Sequence, residues 1–229
     1  MIKAIVFDLD GTLFDRDRSI QHVVSAQYHT YLPALAHVPE STFVSRFIIL
    51  DNHGHVSKDL VYRTLVEECA ITEVTATTLY EHFVSEYHTH CVACPSLVET
   101  LDQLHGYGLR LGIITNGTTR LQLNTVRALK IEHYFSAILI SEAEGMRKPE
   151  RAIFQRALDL LGITAAECAF VGDHPLVDVE GAYAAGLKAI WKRTSVWASP
   201  RVADGVIDDL IELPGVIERL NGGNENTPV

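Results

Sequence analysis

Apolar residues along this chain follow two rhythms. The first is a short, continuous run. Residues 2–7 (Ile-Lys-Ala-Ile-Val-Phe) are rich in β-branched side chains and almost wholly apolar. That is the pattern of a strand buried on both faces of a parallel sheet. Comparable runs at 109–114, 137–140, 168–171, 188–191 and 205–207 predict five further strands. The second rhythm is the helical stripe. Leu97, Leu101 and Leu104 share one helix face, with Pro95 before them and Gly106 and Gly108 after. Leu121, Val126 and Leu129 mark another helix. Ile153, Phe154, Ala157, Leu158 and Leu161 mark a third, with Pro149 placed at its first turn. A short helix over 182–185 stops at Gly186, and a last one covers 209–220.

Strands that alternate with helices predict an α/β fold: a Rossmann-like parallel sheet core flanked by helices, with right-handed crossovers. Residues 15–94 break the alternation. Ile20, Val23, Val24, Gln27 and Tyr31 keep helical spacing, Leu60, Thr64 and Cys69 keep it loosely, and no strand is expected there. The predicted organisation is a core domain of residues 1–14 and 95–221, an inserted all-helical cap at 15–94, and a disordered tail at 222–229.

Composition narrows the setting. Of 229 residues, 47% are hydrophobic and 21% charged, the balance of a folded globular chain able to bury a core. Acidic residues number 29 against 19 basic, a formal charge of −10, which argues against a nucleic-acid polymer or an anionic membrane as partner. No apolar run approaches the roughly 20 residues that span a bilayer. The opening MIKAIVFDLDG has none of the marks of a secretory leader, and four cysteines make no disulfide framework. A cytoplasmic protein is expected; the oligomeric state is left open.

In an open parallel sheet, ligands bind at the carboxyl ends of the strands. Three predicted strands end there at Asp8, Thr115 and Asp173, and Lys148 follows a fourth. An aspartate at a strand end is often only a turn former or helix cap. Convergence of several from distant parts of the chain is a stronger signal. Asp8, Asp10, Asp173 and Asp178 would crowd carboxylates that repel one another unless a cation intervenes. Mg²⁺, a hard ion that prefers oxygen ligands, suits them. Thr115, the amides after it and Lys148 would supply donors and positive charge for a phosphate, aided by the helix that starts there. A carboxylate in such a site can attack phosphorus to give an aspartyl-phosphate.

These residues form four ordered motifs: Asp8-Leu9-Asp10-Gly11-Thr12, then Thr115-Asn116-Gly117, then Arg147-Lys148-Pro149, then Gly172-Asp173-His174-Pro175-Leu176-Val177-Asp178. In them the chain resembles the haloacid dehalogenase-like hydrolase superfamily, and the resemblance spans Asp8 to Asp178. It implies a nucleophile at Asp8, which also binds Mg²⁺. Asp10 would be general acid and then base, its backbone carbonyl a further metal ligand. Thr115 and the amide of Asn116 would hold phosphate oxygens, with Lys148 neutralising charge between Asp8 and the phosphoryl group. Asp173 would bind Mg²⁺ directly and Asp178 would support it, directly or through water. Members that cleave carbon–halogen bonds lack the second acid, so Asp10 points to the phosphatase branch. The substrate implied is a small phosphorylated metabolite: a nucleotide, a sugar phosphate or a phosphoglycolate-like acid. The insertion after the first motif is similar to the family's helical cap, which closes over small substrates. The competing readings are a dehalogenase, a phosphonate-cleaving relative and a phospho-accepting module without turnover. The phosphonate reading would require Lys58, the sole lysine at 15–94, as a Schiff-base amine.

Other candidates are weaker. His22, His29, His37, His53, His55, His82, His88 and His90 all fall in the insertion, but no pair has the spacing of a metal site. Cys91 and Cys94 form a CxxC without a second pair. The polar loop Asp51-Asn52-His53-Gly54-His55 is either an ordinary inter-helix loop or a selector of the leaving group. His174 either touches substrate or shapes its loop.

Overall fold

The computed structural model describes residues 1–222. The chain opens with β1 (Ala4–Phe7) and the two-residue strand β2 (Phe14–Asp15). Five helices follow: α1 (Arg16–Thr30), α2 (Leu32–Leu35), α3 (Glu40–Asp51), α4 (Lys58–Glu68) and α5 (Ala76–Glu86). The two-residue strand β3 (Val92–Ala93) precedes α6 (Leu97–Gly106), β4 (Arg110–Thr115), α7 (Thr119–Ala128) and β5 (Phe135–Ile140). Then come α8 (Ser141–Glu144), α9 (Arg151–Leu161), β6 (Cys168–Gly172), α10 (Gly181–Ala184), β7 (Lys188–Lys192), β8 (Gly205–Ile207) and α11 (Leu213–Gly222). Two compact units result: Arg16–Val92, and Met1–Asp15 together with the described residues from Ala93 onward.

The larger unit is built on a six-stranded sheet in the order β5-β4-β1-β6-β7-β8, with every neighbouring pair parallel. It contains the six strands expected from the apolar runs. Strand β1 lies between β4 and β6, with Phe7 opposite Ile113 on one side and Val171 on the other. Its four residues are buried because both faces are covered. Helix α9 lays Ile153, Phe154, Ala157, Leu158 and Leu161 into a core with Val6, Ile114, Leu139 and Phe170. The strand order reverses at β1, which is where an open α/β sheet offers a crevice to a ligand.

The helical unit has its own core. Phe47 and Phe83 stack at 5.8 Å, and Tyr62 packs on Phe47 at 5.2 Å. Its one deeply buried amide is satisfied: Gln27 accepts from the Tyr62 hydroxyl at 2.8 Å and donates to Leu79 O at 2.7 Å.

Several local expectations shift. On α4 the buried face is Val61, Tyr62 and Leu65, while Leu60 is 52% exposed. On α1, Tyr28 takes the buried place expected of Tyr31, its hydroxyl donating to Val38 O at 2.7 Å. In both cases a tyrosine serves as core because its hydroxyl finds a partner. The helix expected over 182–185 is α10, entered through a wide π-type turn at Pro175–Glu180. The helix expected from 209 begins at Leu213, after Asp209 caps a short 3₁₀ turn at Leu210–Glu212. Residue 222 is the last of α11; the rest of the expected tail, 223–229, lies outside the described residues.

Candidate active site

The parallel register brings the four motifs to one edge of the larger unit. Asp8 sits just past β1, its amide donating to Val171 O at 2.8 Å. Thr115 is the last residue of β4, and Asp173 follows the last residue of β6. Lys148 lies in the loop between α8 and α9, and Asn116 grips its backbone. The Lys148 amide donates to Asn116 Oδ1 and Asn116 Nδ2 donates to Lys148 O, both at 3.0 Å. That bracket fixes where the lysine enters. Its Nζ reaches Asp8 Oδ1 at 2.5 Å and Asp178 Oδ1 at 2.8 Å.

Asp8, Asp173 and Asp178 each bring one oxygen to within 4.8 Å of the others. Asp8, Lys148 and Asp178 are at most 5% exposed. Burial, with further pressure from Asp178, Asp173 and Asp10, drives the Asp8 carboxyl well above its ordinary range, although Lys148 opposes this. Burial and Asp178 push Asp173 up to about 7. Burial would lower Lys148, but Asp178 and Asp8 outweigh it and keep the ammonium protonated. Three carboxylates beside one ammonium leave two negative charges over, the charge of one divalent cation. The Asp178 Oδ1 atom is buried without a hydrogen bond of good geometry, despite its approach to Lys148. Backbone closes in around the set: a Cβ on Gly11 would lie 2.7 Å from Asp173 Oδ2, and one on Gly172 would lie 2.4 Å from Asp178 Cβ. An all-oxygen cluster, over-negative and with a buried oxygen left open, fits a hard divalent ion such as Mg²⁺.

Asp178 has a second task. Its Oδ2 accepts from the His174 amide at 3.0 Å, so it caps the turn and joins the cluster at once. His174 shapes the same turn, its Nδ1 accepting from the amides of Leu176 and Val177, both at 3.2 Å. Both tryptophans of the chain hold Asp173. Trp191 donates to its carbonyl at 2.8 Å and Trp197 to its Oδ2 at 3.3 Å.

The side chain of Asp10 belongs to a different group. Its Oδ2 accepts from Gln122 Nε2 at 2.6 Å and lies 3.5 Å from Thr115 Oγ1. Gln122 also donates to Thr115 Oγ1 at 2.5 Å. Gln122 is a site residue absent from the sequence reading, and Thr12, quoted there in the first motif without a role, has its hydroxyl 3.4 Å from Asp8 Oδ2. Only the fold reveals Gln122. The buried face of α7 is Gln122, Thr125 and Val126, whereas Leu121 and Leu129 are half-buried, and polar residues on a buried helix face need partners. Beyond Thr115, the Gly117 amide donates to Ser141 Oγ at 3.0 Å and the Thr119 amide to Glu142 Oε2 at 2.8 Å. Those two amides therefore already have partners.

The weaker candidates resolve structurally. Asp51 is buried and accepts from Arg16 Nη2 at 2.8 Å and from the Gly54 amide at 3.0 Å, and it pairs with Lys58. The 51–55 loop is thus organised around an ion cluster within the helical unit. Burial pushes the Cys94 thiol up to about 11 and Cys168 to about 12, so neither is a ready thiolate. Among the described residues, no histidine joins a group of three or more potential metal ligands.

The family model described as "Haloacid dehalogenase-like hydrolase" matches residues 5–192. A glyceraldehyde 3-phosphate phosphatase of Pyrococcus furiosus is 30% identical, across 98% of this chain and 96% of that protein. A solved 2-haloacid dehalogenase of Pseudomonas syringae pv. Tomato is also 30% identical, covering 96% of this chain and 99% of that one, with a TM-score of 0.66. A magnesium-bound HAD-hydrolase of Bacillus subtilis superposes with a TM-score of 0.77 at 19% identity, covering 94% and 98% of the two chains. At that identity the likeness is one of fold.

Proposed function

Since the chain belongs to the haloacid dehalogenase-like hydrolases, we propose that it is a Mg²⁺-dependent phosphatase acting on a small phosphomonoester through an aspartyl-phosphate on Asp8. The relatives' names point both to phosphate esters and to haloacids. The observation that carries the choice is Asp10. A departing alkoxide needs a proton and a departing halide does not. A second carboxyl held 2.6 Å from Gln122 and beside Thr115 is machinery for an ester.

Asp8, Asp173 and Asp178, with the Asp10 carbonyl, would hold the Mg²⁺, which would supply charge neutralisation for the phosphoryl oxygens and the nucleophile. The chain's own residues do the rest. An Asp8 oxygen forms a bond to phosphorus as the bond to the ester oxygen breaks. The leaving oxygen takes its proton from Asp10. Asp10, now a carboxylate, takes a proton from water, and the water oxygen attacks phosphorus. Inorganic phosphate leaves, Asp8 returns as a carboxylate, and Asp10 is again protonated. Lys148 stays protonated throughout and opposes the charge built up between Asp8 and the phosphoryl group. Thr115 and the Asn116 amide hold phosphoryl oxygens. Such a reaction depends on positioning and charge more than on further covalent steps.

The dehalogenase reading draws on the Pseudomonas likeness, but it leaves Asp10 without work. A phosphonate-cleaving reading needs a neutral amine at Lys58, and Asp51 holds that side chain as an ammonium partner. A silent phospho-acceptor would be favoured by a missing motif residue, and all are present.

Hydrolysis of p-nitrophenyl phosphate with Mg²⁺, and its loss on chelation, tests the reading. Halide release from a 2-haloacid without phosphatase activity would support the dehalogenase instead. A stable acyl phosphate without turnover would support the phospho-acceptor. A panel of nucleotides, sugar phosphates, phosphoglycolate and glyceraldehyde 3-phosphate then identifies the substrate.

A further inference from the structure

We propose that Gln122 is a positioning residue for the two groups that handle the leaving oxygen and the phosphate, Asp10 and Thr115. The inference rests on the reading of Asp10 as general acid.

The geometry is specific. Gln122 is 5% exposed and reaches down from α7. A primary amide has two N–H donors. Here the same nitrogen lies 2.6 Å from Asp10 Oδ2 and 2.5 Å from Thr115 Oγ1. The carboxylate decides which end of the amide is nitrogen, since the amide oxygen would repel it. Accepting from Gln122 uses one lone pair of the Thr115 hydroxyl and leaves its own hydrogen to donate. One side chain thus anchors an oxygen of Asp10 and sets Thr115 as a donor.

Gly117 supports this independently. A Cβ there would lie 2.9 Å from both Cγ and Cδ of Gln122, so the absence of a side chain at 117 is what lets the glutamine pass. The residue type also fits the chemistry. Asp10 sits on the short segment after β1, where the Gly11 amide donates to Phe14 O at 3.0 Å, and its Oδ2 accepts from Gln122 at 2.6 Å. A neutral amide donates to Asp10 and Thr115 together and adds no charge beside them.

The test uses two esters of similar shape. p-Nitrophenolate leaves without a proton, while phenolate gains much more from one. In Gln122→Met, which keeps the volume and loses the donors, kcat/KM should fall for both. The loss should be about tenfold greater for phenyl phosphate. The ratio is independent of how much of the protein is folded, and Asp10→Asn should shift it in the same direction. Equal losses on the two esters in Gln122→Met, with the ratio shifted in Asp10→Asn, would overturn the positioning role alone. An unshifted ratio in Asp10→Asn would overturn the acid assignment and this inference with it.

Discussion

Asp8 and Asp10 are two positions apart and are given different work by their neighbours. Asp8 is buried against Lys148, whose ammonium opposes the rise that burial imposes on its carboxyl. Asp10 is half-buried, and its Oδ2 accepts from the neutral amide of Gln122. Asp8→Asn should therefore lower kcat by at least about 10³, roughly 4 kcal/mol of transition-state stabilisation; a rate within tenfold of wild type in a steady-state assay would remove the nucleophile. Asp10→Asn should give a slow enzyme that accumulates phosphorylated protein with p-nitrophenyl phosphate, because water attack loses its base while the leaving group needs no acid. Rapid-quench measurement of bound phosphoryl checks this, and wild-type turnover would contradict it. Most of these residues were legible in the sequence because strand ends are easy to find and acidic residues there are conspicuous. Gln122 was not, because a glutamine between Leu121 and Val126 looks like an exposed helix position until α7 is seen to bury it. Asn116 was legible by position only; its side chain grips the Lys148 backbone, a contact between residues 32 positions apart.

At the scale of elements, strands were more legible than helix faces. A parallel strand buried on both sides is an unbroken apolar run, and no alternative face competes for burial. A helix of the smaller unit can bury a tyrosine in place of a leucine when its hydroxyl finds an acceptor, as Tyr62 does while Leu60 stays exposed. The ion cluster between α1, α3 and α4 was equally hidden, since Arg16, Asp51 and Lys58 meet only on folding. It makes a prediction about pH. Burial pulls the Asp51 carboxyl up, but Arg16 and Lys58 more than offset it, so its pKa is lowered in the folded chain. Its contribution is complete above the ordinary carboxylate range, about pH 4, and is lost as pH falls through the lower folded value. Asp51→Asn should cost about 3 kcal/mol at pH 7 by leaving two cations without their partner. Urea midpoints of wild type and variant should converge as pH falls from about 5 to 3. Parallel curves would show that the carboxylate charge contributes nothing.

At the scale of the molecule, the order β5-β4-β1-β6-β7-β8 turns four distant motifs into one site. Among the described residues no helix is long and apolar enough to cross a membrane. At this edge the carboxylates of Asp8, Asp173 and Asp178 outnumber the single buried ammonium of Lys148. Mg²⁺ should therefore stabilise the fold, by about 2.7 kcal/mol at a hundred times its dissociation constant. Thermal unfolding should show the rise in wild type and its loss in Asp173→Asn; equal rises in both would place the ion elsewhere. The central claim is a covalent phosphoryl group on Asp8, and it is tested most directly by peptide mass spectrometry of acid-quenched Asp10→Asn after exposure to p-nitrophenyl phosphate and Mg²⁺. The account predicts one phosphoryl increment on the peptide that contains Asp8, absent when Asp8→Asn is added. Phosphoryl on any other residue, or catalysis that persists without Asp8, would contradict it.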